Sequence, residues 1–206
     1  MSSEVATQPE PGTAGPGLRE RKKARTRAAI RQHAMRLFHE QGYDATTVEQ
    51  IAAAAEVSPS TFFRYFPAKE DVVLADDLDP PLIAAFQAQP SELPPIAALR
   101  GAMRTVIDAL PPEEWAQERA RIALIRSVPE LRARMMEGFA TQLQLAAEIV
   151  AERVGRRPDD FEIRVLTGAL LGIVLATWFS WSEESGTDYY TVLDAALAHL
   201  EAGLPL

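Results

Sequence analysis

Proline stands where helices would have to begin. Pro59 follows a serine, Pro95 and Pro112 each follow another proline, and Pro129 and Pro158 each precede acidic residues. Proline lacks a backbone N–H and fixes φ at about −65°, so it suits the first turn of a helix and disrupts the interior of helix or sheet. These marks divide most of the chain into segments of helical length. No stretch sustains the apolar–polar alternation of a strand between turn signals, and no internal repeat is evident. The sequence therefore predicts an all-α fold. Helices are expected at 18–41, 48–55, 59 to near 66, 69 to near 89 with an interruption at Asp79-Pro80-Pro81, 95–110, 112–128, 129 to near 154, 158 to near 184, and 187 to near 202.

Residues 1–17 hold Pro9, Pro11, Gly12, Gly15, Pro16 and Gly17 and almost no bulky apolar side chain. They cannot bury enough surface to offset the entropy of ordering, and a disordered arm is expected there. Charge is distributed unevenly over the rest. The net charge is −8, yet residues 1–75 carry ten Lys/Arg against nine Asp/Glu. Between Arg19 and Arg36 lie eight basic residues and one acid, Glu20. An acidic protein that gathers its cations at one end invites a polyanionic partner there. The alternative is a solvated helix start, although cations at a helix N-terminus oppose its dipole.

Behind the first helix, whose apolar face is Ile30, Ala34, Leu37 and Phe38, come two short helices joined by a tight turn. Thr46 with Glu49, or Thr47 with Gln50, fits a capping box opening the first of them. Ser58 caps the second, with Pro59 at its first position. On a helical wheel Phe62, Tyr65 and Phe66 form its inner face, while Ser60, Phe63 and Arg64 lie on the other side. That outer face suits a DNA groove, where a ring can touch a thymine methyl and a guanidinium can reach guanine or phosphate. Alternatively, Phe63 covers the core of a small bundle.

The run Gly42-Tyr43-Asp44-Ala45-Thr46-Thr47-Val48-Glu49-Gln50-Ile51-Ala52, followed by Val57-Ser58-Pro59-Ser60-Thr61-Phe62-Phe63-Arg64-Tyr65-Phe66-Pro67-Ala68-Lys69-Glu70, resembles the TetR family of bacterial repressors. The resemblance covers residues 19 to about 75. It implies a three-helix DNA-binding head with a helix-turn-helix, at 18–67, and a helical ligand-binding and dimerisation body at 68–206. It places Pro59, Ser60, Phe63 and Arg64 toward the bases, and Thr47, Thr61, Tyr65 and Lys69 on the DNA backbone. Glu49 sits where some members read a base. Phe63 stands where the family usually has tyrosine, which removes any hydroxyl–phosphate bond from that position. Arg25 and Arg27, with Arg19, Arg21, Lys22 and Lys23, are expected to track phosphates or enter the minor groove.

In the body, residues 165–182 carry no charge, which reaches the lower edge of a membrane span. Thr167, Thr177, Ser180 and Ser182 dilute the run, and a buried bundle helix is expected instead. Gly168, Gly172, Ala176 and Ser180 form a small-residue stripe that lets a neighbouring helix approach closely, either within the chain or from a second subunit. The resemblance implies a homodimer built by the last two helices, and hence a near-palindromic operator. Met103, Ile107, Ile122, Ile125, Arg126, Met136, Phe139, Leu143 and Phe179 are the candidate lining of an apolar ligand pocket, any one of which could instead be plain core. The run from Arg119 to Arg134, with Ala151-Glu152-Arg153 and Pro158-Asp159-Asp160, is similar to the carboxy-terminal domain of mycofactocin-regulator-type members. That similarity implies an acyl-CoA-like ligand, with Arg121, Arg126, Arg132 or Arg134 for its phosphates. The alternative for these arginines is pairing with Glu113, Glu114, Glu118, Glu130 or Glu137 on the helix surface.

Other chemistry is poorly provided for. Cysteine is absent and the histidines are His33, His39 and His199, with no HExxH spacing, so thiolate, disulfide and zinc chemistry are not expected. No cofactor is expected. Scattered acids such as Glu183 and Glu184 form no nucleophile–base pattern, so an enzyme is not expected. No basic start precedes an apolar core at the N-terminus, so no secretory signal is read and a cytoplasmic protein without a membrane partner is expected. The reading is a ligand-responsive, homodimeric DNA-binding repressor. Its rival is a DNA-binding regulator, including an activator, without a small-molecule ligand.

Overall fold

A computed structural model describes residues 17–75, 78–181 and 187–205. The predicted arm, apart from Gly17, and the acids Glu183 and Glu184 lie outside the described residues. No strand occurs among the described residues, and the helices run in the order α1 (Leu18–Gln41), α2 (Val48–Ala54), α3 (Pro59–Tyr65), α4 (Lys69–Leu74), α5 (Asp79–Gln87), α6 (Pro95–Ala109), α7 (Pro112–Ser127), α8 (Pro129–Glu137), α9 (Phe139–Val154), α10 (Phe161–Ser180) and α11 (Tyr189–Glu201). The chain divides into two compact units that part between Val73 and Leu74.

The first unit is the small one. α1 buries Ile30, Ala34 and Phe38 and ends at Gly42, whose φ of +89° suits glycine. The choice of cap for α2 is settled by its hydrogen bonds. Thr47 Oγ1 accepts from the Gln50 N–H at 3.3 Å, and Gln50 Oε1 accepts from the Thr47 N–H at 2.9 Å. Thr46 is buried instead, its hydroxyl donating to the Gly42 carbonyl at 2.7 Å. Ser58 Oγ accepts from the Thr61 N–H at 3.1 Å and opens α3 as predicted. Phe62 and Phe66 are buried with Ile51 and Ala52. Val72 and Val73 are fully buried too, so the unit extends past residue 67, the expected end of the head, into α4.

The second unit packs α5, α6, α9 and α10 around Phe86, Ala98, Ala102, Ala147, Val150, Ala151 and Ile163. Arg153 stacks on Phe86, 5.1 Å from the ring centre, and donates to the carbonyls of Phe86, Gln89, Pro90 and Leu93, which fixes the α5–α6 connection. Three expected helices differ. The break after α4 falls before Asp79, and Pro80 and Pro81 lie inside the first turn of α5, where proline is tolerated. The single helix expected from Pro129 to about Val154 is two, separated at Gly138, a residue with poor helix propensity. α10 starts at Phe161 and not at Pro158, because Arg157 folds onto Asp159 and Arg156 onto Asp160 in the preceding turn.

α6 and α11 are clamped by Arg100. Its guanidinium donates to both oxygens of Asp194, at 2.8 and 3.1 Å, and to Glu201 at 2.7 Å. These bonds from Arg100 hold the Asp194 carboxyl below its ordinary value and raise Arg100 further above its own. A carboxyl depressed in the folded state contributes stability that is present above its unfolded pKa and fades as pH falls through the folded one. Arg100→Gln should therefore destabilise the chain at neutral pH, and the difference from the parent should shrink in the acid range below the ordinary aspartate value. Paired urea titrations at the two pH values check this.

Candidate nucleic-acid interface

α3 divides its side chains as a groove-reading helix must. Phe62 faces inward, fully buried, and Tyr65 is half-buried. Pro59, Ser60, Phe63 and Arg64 are exposed together. Phe63 is 49% exposed, with its ring edge-on to Phe62 at 5.5 Å, so it lies on the surface of the small bundle. Thr61 is half-buried, and its hydroxyl lies 2.9 Å from Ser58 Oγ. Thr47 is exposed at the N-terminus of α2, where unpaired backbone N–H groups favour an anion.

Lys69 is placed differently from a free phosphate grip. Its ammonium donates to the carbonyls of Tyr43 at 3.1 Å and Thr46 at 3.3 Å, and sits 4.0 Å from the centre of the Tyr43 ring. A phosphate contact from Lys69 would compete with these bonds. The side chain as placed braces the loop that presents Thr47.

α1 runs three turns beyond the first residue it buries, Ile30. On those turns Arg19, Arg21, Lys22, Lys23 and Arg25 are exposed. Arg27 is half-buried, its guanidinium 5.0 Å from the Phe66 ring centre. The spacing at 19, 23 and 27 continues the core-facing stripe of Ile30 and Ala34 in cationic form. Like charges at i, i+4 at a helix N-terminus oppose both each other and the dipole, a cost that phosphate would relieve.

This two-unit helical architecture matches known proteins over nearly its whole length. Residues 30–75 match the model of bacterial regulatory proteins of the tetR family, and residues 93–205 match the MftR C-terminal domain. The chain is 36% identical to the HTH-type transcriptional regulator TcmR of Streptomyces glaucescens, over 84% of this chain and 80% of that one. The chain belongs to the TetR family. It is also 27% identical to the protein named as the mycofactocin biosynthesis transcriptional regulator MftR of Mycobacterium tuberculosis, over 89% of this chain and 93% of the relative. Among solved structures it resembles FadR of Thermus thermophilus, a TetR-family repressor in complex with lauroyl-CoA, with a TM-score of 0.51, 26% identity, and coverage of 87% and 95%. This TetR-family chain is thus a transcriptional regulator with an N-terminal helix-turn-helix, and its relatives are regulators and not enzymes.

In the body the candidate pocket residues differ in burial. Met103, Ile122 and Ile125 are buried and Ile107 and Phe139 half-buried, whereas Met136 and Phe179 are exposed. Leu143 alone of the set lines an open groove of about 890 Å³ between α9 and α10, beside Ala147, Phe161, Arg164 and Val165. The arginines considered for phosphates are occupied. Arg121 forms a bidentate pair with Glu118, Arg134 pairs with Glu137, Arg132 donates to the Arg126 carbonyl, and Arg126 lies 5.0 Å from the Trp181 ring centre.

α10 departs from the buried bundle helix expected. One face is buried through Ile163, Thr167, Leu170, Thr177 and Trp178. Its opposite face is open: Phe161 is 77% exposed, Val165 53% and Phe179 61%, and Gly168, Gly172, Ala176 and Ser180 are exposed between them. No other described residue covers the small-residue stripe. By length and composition α10 is apolar enough to cross a membrane, a test that a core helix also passes. Sequence reasoning passed over one more arrangement, in which Trp115, Trp178, Trp181, Tyr189 and Tyr190 join edge to face. Nothing local signals the part of Trp115, which lies on a helix far along the chain from the other four rings.

Proposed function

We propose that this TetR-family regulator is a cytoplasmic repressor that binds a near-palindromic operator as a homodimer and leaves it when a small apolar effector enters the body. The observation that carries the DNA reading is the exposed row Pro59, Ser60, Phe63 and Arg64 on α3, with the cations of α1 in the same unit. Arg64 and Phe63 would meet base edges. Thr47, Thr61, Tyr65, Arg25 and Arg27 would hold phosphates, which fix register without carrying sequence information. Lys69 would act by bracing the Thr47 loop.

The open face of α10 supports the dimer. An isologous interface needs one self-complementary patch, and small residues between exposed Phe161, Val165 and Phe179 let two copies of α10 approach closely. An effector preferring the dimer geometry that cannot bind DNA would shift the population away from the operator. The likeness to a lauroyl-CoA-bound repressor supports an acyl-CoA-like effector. The internal pairing of Arg121, Arg126, Arg132 and Arg134 opposes it.

The test is a fluorescence-anisotropy titration of the full chain on DNA from upstream of its own coding sequence, with unrelated duplex as reference, at several salt concentrations. Tight site-specific binding supports the reading; equal weak binding to both duplexes at every salt overturns it for that site. Arg64→Ala should weaken operator binding roughly ten- to a hundredfold, a bidentate base contact being worth about 1–3 kcal/mol, and leave unrelated duplex within a few fold. An unchanged preference would remove Arg64 from the base-reading set.

A further inference from the structure

The connection between α1 and α2, from Gly42 to Thr47, is held from three helices. Gln41, the last residue of α1, donates from Nε2 to Gln50 Oε1 at 3.0 Å, to the Thr46 hydroxyl at 3.1 Å and to the Ala45 carbonyl at 3.4 Å. Gln50 of α2 passes the constraint on, because the same Oε1 accepts from the Thr47 N–H at 2.9 Å. Lys69, the first residue of α4, reaches back across 26 and 23 residues to the Tyr43 and Thr46 carbonyls. Its own footing is fixed: Asp71 Oδ2 accepts from the Ala68 N–H at 2.9 Å, and Val72 and Val73 are fully buried.

The core of this unit is apolar, built on Ile30, Phe38, Ile51, Phe62 and Phe66, and it does not depend on the network. What the network fixes is the place of Thr47. Thr47 Oγ1 already accepts from the Gln50 N–H, so its hydroxyl proton is left to donate outward from an exposed side chain. A loop ordered before binding loses no further entropy on the DNA. Lys69 is half-buried, and withdrawing an ammonium from water is costly unless it is hydrogen-bonded. The two carbonyls and the face of the Tyr43 ring supply that compensation inside the protein.

We propose that Lys69 and Gln41 are positioning residues for DNA binding: they fix the loop so that the Thr47 hydroxyl meets one backbone phosphate, and neither touches the DNA. The proposal rests on the reading that Thr47 holds a phosphate, and adds what sets that contact. A direct grip would require the Lys69 ammonium to leave both carbonyls, and its charge would then enter the salt dependence of binding. With the ammonium held, DNA affinity depends on Lys69 through Thr47.

Hydrogen exchange of the DNA-free full chain is the first test. The Thr46 N–H donates to the Tyr43 carbonyl and the Thr47 N–H to Gln50. Lys69→Met and Gln41→Leu should each speed exchange of these two amides by roughly tenfold, with α1 and α3 at parent rates. Unchanged exchange in both variants overturns the brace, and so does a uniform rise through the whole unit. The second test is anisotropy titration on the operator and on unrelated duplex. Each variant should weaken both by about tenfold per protomer, the worth of one charge-assisted hydrogen bond, at the parent salt slope. Thr47→Ala should do the same, and Thr47→Ala with Lys69→Met should bind no more weakly than either alone. A slope flatter by about 0.9 per protomer in Lys69→Met, or losses that add, makes Lys69 a direct phosphate contact and overturns the proposal. Gln41→Leu removes no charge and decides the matter if Lys69→Met does not fold. A parent chain that binds both duplexes alike overturns the operator reading, while exchange in the DNA-free protein still decides the brace.

Discussion

Changing Arg19, Arg21, Lys22, Lys23 and Arg25 together to glutamine should flatten the salt dependence of operator binding while leaving the fold intact. Each phosphate neutralised contributes about 0.9 to the slope of log K against log salt, so five contacts would remove roughly four units per protomer. At low salt this predicts a loss of roughly a hundredfold or more, diminishing as salt rises. The sign of the stability change separates this from damage. The five side chains are exposed, Arg19 with Lys23 and Arg21 with Arg25 stand at i, i+4, and cations near the start of α1 oppose its dipole, so neutralising the five should leave the free helix as stable or a few tenths of a kcal/mol more stable. Arg27 is left in place because its guanidinium lies against Phe66. Operator preference over unrelated duplex should survive, since Phe63 and Arg64 are untouched. Anisotropy titrations at four salt concentrations, with thermal melts of the same samples, check both parts. An unchanged slope would return the α1 cations to the role of a solvated helix start.

What the sequence made legible was local. A capping box opens α2, although the sequence fits it to Thr46 or Thr47 alike; Ser58 and Pro59 start α3, and Phe62 and Phe66 fall on the inner face by their spacing alone. The pairing of Arg121 with Glu118 and Arg134 with Glu137 was also open to sequence, being i, i+3 on one helix. The orientation of the Lys69 ammonium was not, because its acceptors lie 23 and 26 residues away. The same holds for α10. Its uncharged run fits burial on every side, and only the packing of α9 and α11 decides which face stays open. Gly138 is similar: a glycine within an otherwise periodic stretch can be tolerated or can break it, and the sequence around it does not choose.

The buried pair on α7 provides the second large effect. Glu118→Ala should destabilise the chain by up to about 3–5 kcal/mol, because the buried Arg121 would lose the carboxylate that accepts two of its hydrogen bonds. Arg121→Ala should do the same from the other side. The double variant Glu118→Leu with Arg121→Met should recover most of that loss, since apolar side chains of similar volume avoid the desolvation of both charges. Urea unfolding of the four proteins, read as a double-mutant cycle, checks the coupling. A double variant as unstable as either single one would make the pair a structural necessity of the α7–α11 contact. Recovery of stability instead means that the fold does not require the ions, and a reason for their retention must be sought in binding.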